Sequence, residues 1–168
     1  RDSTNKVSMQ PKLDGVRCVI QCENRPLKNV DDLSGQLTEN VVIAYSRTGK
    51  EWKNIDHILF NLKPWFALNP NVILDGELYN HDLRDDFETI ISLVRRQKPD
   101  DIDMLESADL VQFHCYDIID ETKTFKERST FISQTVPRNH CVKHVPTMLV
   151  PTESQAQVNH ARNLDSGY

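Results

Sequence analysis

The chain has 168 residues, 38% hydrophobic and 27% charged, with a mean hydropathy of −0.54 and a formal net charge of −5 at pH 7. Those values describe one ordinary globular domain with room for a sizeable core and none for a second full domain. They exclude a spanning helix, which needs about 20 consecutive apolar residues, and attachment to nucleic acid by bulk attraction alone. Arg1 to Met9 is polar, without the apolar stretch of a secretory signal. Cys18, Cys22, Cys115 and Cys141 form no C-x-x-C pair and read as free thiols of a reducing compartment. Charge is uneven: up to Trp65 there are ten Lys and Arg against eight Asp and Glu, and beyond it ten against seventeen.

In chain order, Lys12 to Gly15 reads as a turn leading into a strand. From Val16 to Glu23 apolar and polar residues alternate, with Val16, Cys18, Ile20 and Cys22 on the buried side. Polar residues from Asn24 to Asn40 read as a long hairpin connection. Val41 to Tyr45 is a second strand, ending at Ser46-Arg47-Thr48-Gly49-Lys50. Ile55, Ile58, Leu59 and Leu62 recur at helical spacing, and Pro64 is expected to stop that helix. Val72 to Tyr79 is a strand whose period of two puts Ile73, Asp75, Glu77 and Tyr79 on one face. Two carboxylates on one strand face require a cation, a donor or water.

Phe87, Ile90, Ile91 and Val94 predict an amphipathic helix, capped by Asp85 or Asp86 and closed by Pro99. Leu110 to Ile119 is a strand, with Gln112, His114, Tyr116 and Ile118 on one face and Val111, Phe113, Cys115, Asp117 and Ile119 on the other. A helix over Lys126 to Gln134 and a strand over Cys141 to Val145 follow. Thr152-Glu153-Ser154-Gln155 is a capping-box signature that opens a last helix. Strands and helices mix without a regular βαβ rhythm, which predicts an α+β domain of mainly antiparallel sheets flanked by helices.

The sharpest chemical feature is Lys12-Leu13-Asp14-Gly15-Val16-Arg17. A lysine is held in a turn, a glycine permits the tight backbone, and an arginine points across the same place. Ser46-Arg47-Thr48-Gly49, Asp75-Gly76-Glu77-Leu78 and Tyr116-Asp117-Ile118 follow in this order, each on a strand or at a strand end. Together these residues resemble the covalent nucleotidyltransferases, and specifically the adenylation domain of ATP-dependent DNA ligases, over nearly the whole chain. The fourth family motif, a Glu-Gly pair, and the fifth, a lysine pair, have no match in residues 1–168, so the resemblance implies that 1–168 is an adenylation domain truncated before those motifs, with the OB-fold absent from this chain.

The resemblance implies the nucleotidyltransferase fold of DNA ligases and mRNA-capping enzymes, ATP-grasp-like in character. It also implies a catalytic Lys12 that takes AMP from ATP, with Arg17 and Glu77 beside it. Gln10 and Tyr116 read and stack on adenine, Glu77 meets the ribose and a metal, Mg²⁺ or Mn²⁺, and Arg47 and Lys50 contact DNA. The partner implied is nicked double-stranded DNA, the form a monomer inside the cell (cytoplasm or nucleus, or host cytoplasm if viral). Chemistry agrees: breaking the α–β bond needs an uncharged nucleophile, and a lysine amine serves if a neighbouring cation or burial lowers its pKa. Asp75 and Asp14 orient neighbours. Lys53 extends the basic patch, while Arg95 to Lys98 suits either DNA backbone or a helix C-terminus. Two alternatives stand beside this reading: an mRNA-capping guanylyltransferase, and a nucleotide- or DNA-binding module without turnover. As it stands, the chain is expected not to complete nick sealing.

Overall fold

The computed structural model describes residues 6–27 and 37–168. Residues 1–5, and residues 28–36 of the expected hairpin connection, lie outside the described residues. The element order is β1 (Val7–Met9), β2 (Val16–Pro26), β3 (Thr38–Tyr45), α1 (Asp56–Leu68), β4 (Leu74–Tyr79), α2 (Phe87–Arg95), α3 (Asp101–Leu110), β5 (Gln112–Ile118), α4 (Phe125–Thr135), β6 (Val142–His144), β7 (Met148–Val150) and α5 (Glu153–Asp165). Five strands form one sheet in the order β3-β2-β4-β5-β6, antiparallel except for the β5–β6 pair, and β1 pairs with β7 in a second, two-stranded sheet.

The alternation of β2 decides which face is which. Cys18 and Ile20 are fully buried and meet Leu74 and Leu78 of β4, Phe113 and Cys115 of β5, and Ile58, Leu62, Phe66, Ile90, Leu93 and Ile132 from the helices. Removing such side chains from water stabilises the fold by about 1.5–3 kcal/mol each. The opposite sheet face carries Arg17, Asp75 and Glu77, so the helices that build the core leave that face for polar chemistry.

Several elements differ from the expectation. β2 runs on to Pro26 and β3 begins at Thr38, because Glu23 to Pro26 pair in register with Val41 to Thr38 although they are polar. α1 continues through Pro64 to Leu68. The proline ring removes one hydrogen bond on the solvent side, while burial of Trp65 and Phe66 holds the last turn in place. Asp86 takes the cap position of α2, yet its carboxylate accepts from the Thr89 hydroxyl at 2.8 Å rather than from a backbone N–H. β1, β7 and α3 had no counterpart in the sequence reading. The first two are three-residue strands, too short for a period, and α3 is taken up below.

β5 does not alternate strictly. Asp75 stands opposite Asp117, but Gly76 stands opposite Cys115, so Tyr116 is the extra residue of a β-bulge. Beyond it the faces exchange: Ile118 is buried opposite Leu74, and Asp117 is half-buried and ion-paired with Arg128 of α4 at 2.8 Å. The expected placing of Ile118 with Tyr116, and of Asp117 with the core, is thereby reversed.

Candidate active site

Two glycines set the geometry. A Cβ on Gly15 would lie 2.7 Å from Cγ of Glu77 and would collide with the Leu78 carbonyl, so only glycine lets this loop lie directly against β4. Gly76 faces the core, where a Cβ would come within 2.5 Å of Cε2 of Phe113 and of the His114 carbonyl oxygen. Asp75 and Glu77 therefore project to the site on either side of a residue that must lack a side chain.

The two carboxylates have different partners. Asp75 is 8% exposed. It accepts a two-pronged contact from Arg17, Nε at 3.0 Å and Nη2 at 2.7 Å, and a hydrogen bond from the Tyr116 hydroxyl at 3.1 Å. Such fork-to-fork pairing fixes the guanidinium plane. Burial and the nearby Asp75 and Glu77 charges push the Tyr116 phenol well above its ordinary value, so it stays a donor. Glu77 stands opposite Arg17 on one side and His114 on the other. Burial holds the His114 imidazole at about 4, which leaves it neutral and unable to balance Glu77. Desolvation, then the Asp75 charge, raise the Glu77 carboxyl to about 7; the Gly15 backbone, Arg17 and Lys12 pull it back.

This raised value makes a stability prediction. The folded state holds the Glu77 proton more tightly than the unfolded chain does, so stability from this group is complete below about 4.5 and is lost as pH rises through about 7. Glu77→Gln, which cannot ionise, is expected to raise the melting temperature at pH 8 and to leave it unchanged at pH 4. Thermal scans showing the same shift at both pH values would contradict the buried-carboxylate account.

Lys12 is exposed and ion-paired with Asp14 two residues on. The Asp14 carboxylate, by hydrogen bond and then by charge, raises the amine above its ordinary value. This corrects the expectation of an amine with a lowered pKa: Arg17 is committed to Asp75, and the lowering by desolvation is outweighed by Asp14. An uncharged Lys12 therefore requires release from Asp14.

Ser46 to Lys50 form a tight turn, closed by Ser46 N–H to Lys50 O at 2.8 Å and Gly49 N–H to Ser46 O at 2.9 Å. Gly49 has φ +78°, the left-handed region that glycine occupies freely. The turn brings Arg47 and Lys50 into one groove of about 640 Å³ with Arg17, Glu77, Phe87 and Arg95. Arg95, at the end of α2, thus faces the same groove, whereas Arg96 is ion-paired with Asp103. Lys53 does not extend the patch, because it is paired with Glu51 at 2.8 Å.

Gln10 and Tyr116 line a separate cavity of about 300 Å³. The Gln10 amide nitrogen donates to the Tyr116 carbonyl at 3.0 Å and to Thr147 Oγ1 at 2.9 Å. A carbonyl oxygen can only accept, so the nitrogen must face it. Thr147 carries no signal in the sequence, since a lone threonine before a short strand has no pattern. The structure thus places Arg17, Glu77, Arg47 and Lys50 together. Gln10 and Tyr116 lie next to them through the Asp75 hydrogen bond, and Lys12 is on the loop against Glu77.

Among the described residues no helix is long and apolar enough to cross a membrane. The architecture, a mostly antiparallel sheet flanked by helices with this site on its open face, is the nucleotidyltransferase-domain fold of ATP-dependent DNA ligases. No protein-family model and no curated protein matches the chain. Solved structures do. One described as Pmar-Lig_Pre superposes with a TM-score of 0.63 over 98% of this chain and 37% of that chain, at 18% identity. A structure from a study of DNA binding with a minimal scaffold by Lig E DNA ligases gives 0.62 over 99% and 54%, also at 18% identity. The ATP-dependent DNA ligase of bacteriophage T7, in complex with ATP, gives 0.55 over 92% and 52% at 16% identity. The chain therefore spans between about a third and about half of those ligases.

Proposed function

We propose that this chain carries the lysine-adenylation chemistry of an ATP-dependent DNA ligase. The observation that supports the reading best is the Lys12–Gly15 loop lying directly against Glu77, beside an Arg17 locked by Asp75, on a DNA-ligase fold. In the first step the Lys12 Nζ, having lost its proton, forms a bond to the α-phosphorus of ATP. The Pα–O bond to the β-phosphate breaks, and pyrophosphate leaves with the electron pair. In a complete ligase an oxygen of the nick 5′-phosphate then attacks that phosphorus as the Lys12 Nζ–P bond breaks, and the 3′-hydroxyl attacks the 5′-phosphate as AMP leaves, closing the backbone. Arg17, held planar, offers donors to nucleotide oxygens, and Arg47, Lys50 and Arg95 line the groove for DNA phosphates. Phosphate contacts of this kind weaken steeply as salt is raised.

Glu77 fits the role of holding Mg²⁺ or Mn²⁺. It is a half-buried carboxylate that accepts from the Gly15 backbone and, among the described residues, pairs with no side chain, and Mg²⁺ is characteristically bound by one or two carboxylates plus substrate phosphates. Bound there, the ion would supply neutralisation of charge on the phosphate oxygens. Asp75, saturated by Arg17 and Tyr116, acts as a positioning residue. The protein is proposed to act inside the cell, as a monomer on nicked double-stranded DNA.

Adenine is favoured over guanine by Gln10. Both its amide N–H groups are engaged by Tyr116 and Thr147, which leaves Oε1 as an acceptor suited to the 6-amino group of adenine and not to the 6-oxo group of guanine. Intact mass after incubation with Mg²⁺ and either nucleotide tests the reading: an AMP adduct from ATP is expected at least about tenfold faster than a GMP adduct from GTP. Preferential GMP transfer would instead favour the capping-enzyme reading, and no adduct with either would favour a binding module.

A further inference from the structure

α3 is built inside out. Its buried residues are Asp103 and Ser107, while Ile102 is 73% and Leu105 72% exposed, with Met104 at 38%. The inward polar side chains of the helix, Asp103 and Ser107, are both engaged, while Oδ1 of the neighbouring Asn54 is left without a partner among the described residues. Asp103 closes a capping box with Asp100 and pairs with Arg96. Ser107 donates to the Asn54 carbonyl, and the Asn54 amide donates to the carbonyls of Leu93 at 3.1 Å and Asp103 at 3.2 Å. That network fixes the helix in this rotation, so the apolar side cannot turn inward without leaving buried polar groups unpaired, each costing more than it regains.

The outward apolar side is also shaped. Between α3 and the start of α1 lies a cavity of about 400 Å³ bounded by Asn54, Asp56, His57, Asp101, Met104 and Leu105. Contiguous exposed apolar surface with a polar rim is the usual mark of an interaction surface. The charges around it are acidic: Asp56 and Asp101 line the cavity, Glu106 and Asp109 are exposed on the same helix, and α3 contains no Lys or Arg.

We propose that the outer face of α3, with the cavity beside it, is a docking site for a basic amphipathic helix of a protein partner. Apolar side chains at helical spacing on the partner enter the cavity between Met104 and His57 and cover Ile102 and Leu105; its flanking Lys and Arg meet the acidic rim. This is recognition of a helix in a groove, with charge supplying register and orientation. A second copy of this chain is a poor occupant, because a symmetric contact would set acidic rim against acidic rim. The site is built on the helical side of the molecule and does not use Lys12, Arg17 or Glu77, so docking and nucleotide chemistry can proceed together.

The test uses the whole chain and a fluorescein-labelled 18-residue model peptide made only of Leu and Lys, about 18 residues being five turns of helix, with Leu at i, i+3, i+4 and i+7. Controls are a scrambled peptide of the same composition and an amphipathic Leu/Glu peptide. Anisotropy should show the amphipathic Leu/Lys peptide binding at least about tenfold tighter than the scrambled one, with no binding of Leu/Glu. Amide shift changes should centre on α3 and the start of α1. Leu105→Asp and Ile102→Ser, both at exposed positions and checked by circular dichroism for an unchanged fold, should each weaken binding by about tenfold or more. Equal binding of the scrambled peptide, shift changes centred elsewhere, or indifference to both substitutions would overturn the proposal. Self-association of the chain through this face in sedimentation, abolished by Leu105→Asp, would overturn the choice of partner.

Discussion

Lys12→Ala is expected to abolish the AMP adduct while leaving the fold untouched, the largest functional effect of any single substitution in this chain. The side chain is 84% exposed and its one partner is a neighbour in the same loop, so the change should fall within about 0.5 kcal/mol in stability. Lys12→Arg should be equally inactive, because a guanidinium stays protonated and cannot attack phosphorus. The pairing with Asp14 adds a pH signature. The amine is held above its ordinary value, so at neutral pH only a small fraction is uncharged, and the adenylation rate should climb with pH through the alkaline range. Asp14→Asn removes the main group that raises the amine, leaving the smaller contribution of Glu77, and the rise should then begin at lower pH. Intact mass against time, from pH 6 to 10, reads all three variants. An adduct that survives in Lys12→Ala would remove the nucleophile assignment, and a profile unmoved by Asp14→Asn would remove the role given to the ion pair.

Gly76→Ala is expected to carry the largest stability loss among the motif residues, although it brings no charge and touches no substrate. The added methyl would sit 2.5 Å from both Cε2 of Phe113 and the His114 carbonyl oxygen. One of these belongs to a fully buried ring and the other to the backbone of β5, so neither gives way cheaply. Overpacking of this kind costs about 2–3 kcal/mol, which for a chain of this size is a fall of roughly 5–10 °C in melting temperature. Phe113→Leu opens space at the same point. Residues in direct contact couple, so the double variant Gly76→Ala with Phe113→Leu should lose less than the sum of the two single losses. Strict additivity in thermal unfolding would show that the methyl meets something other than the ring.

Most of the strands and helices were legible because they obey short-range rules. β2 and β4 alternate with period two, and Thr152 sits where a helix cap belongs. The exceptions share one cause. α1 passes Pro64, β2 and β3 extend through polar residues, and α3 exposes its leucine and isoleucine, because in each case a tertiary partner outweighs the local preference. For α3 the only local sign was Asp100-x-x-Asp103, a capping box made from two aspartates. Its apolar residues gave a pattern pointing away from the core.

The site divides in the same way. Which residue types gather, and in what order, is a property of the linear chain: Lys12, Asp14, Gly15 and Arg17 are near neighbours, and Asp75 and Glu77 share a strand face through backbone geometry alone. How those groups are charged and paired depends on what three-dimensional packing sets beside them. The bulge at Tyr116 directs its hydroxyl to Asp75, Arg17 spends its charge on the same carboxylate, and Glu77, left among desolvating neighbours, is pushed to about 7. Lys12 stays exposed with Asp14, opposite to the expectation from its chemistry. Spacing along a chain sets which groups can meet. The free energy of each ionisation is set by burial and by charges brought from distant segments, and no local pattern contains that sum.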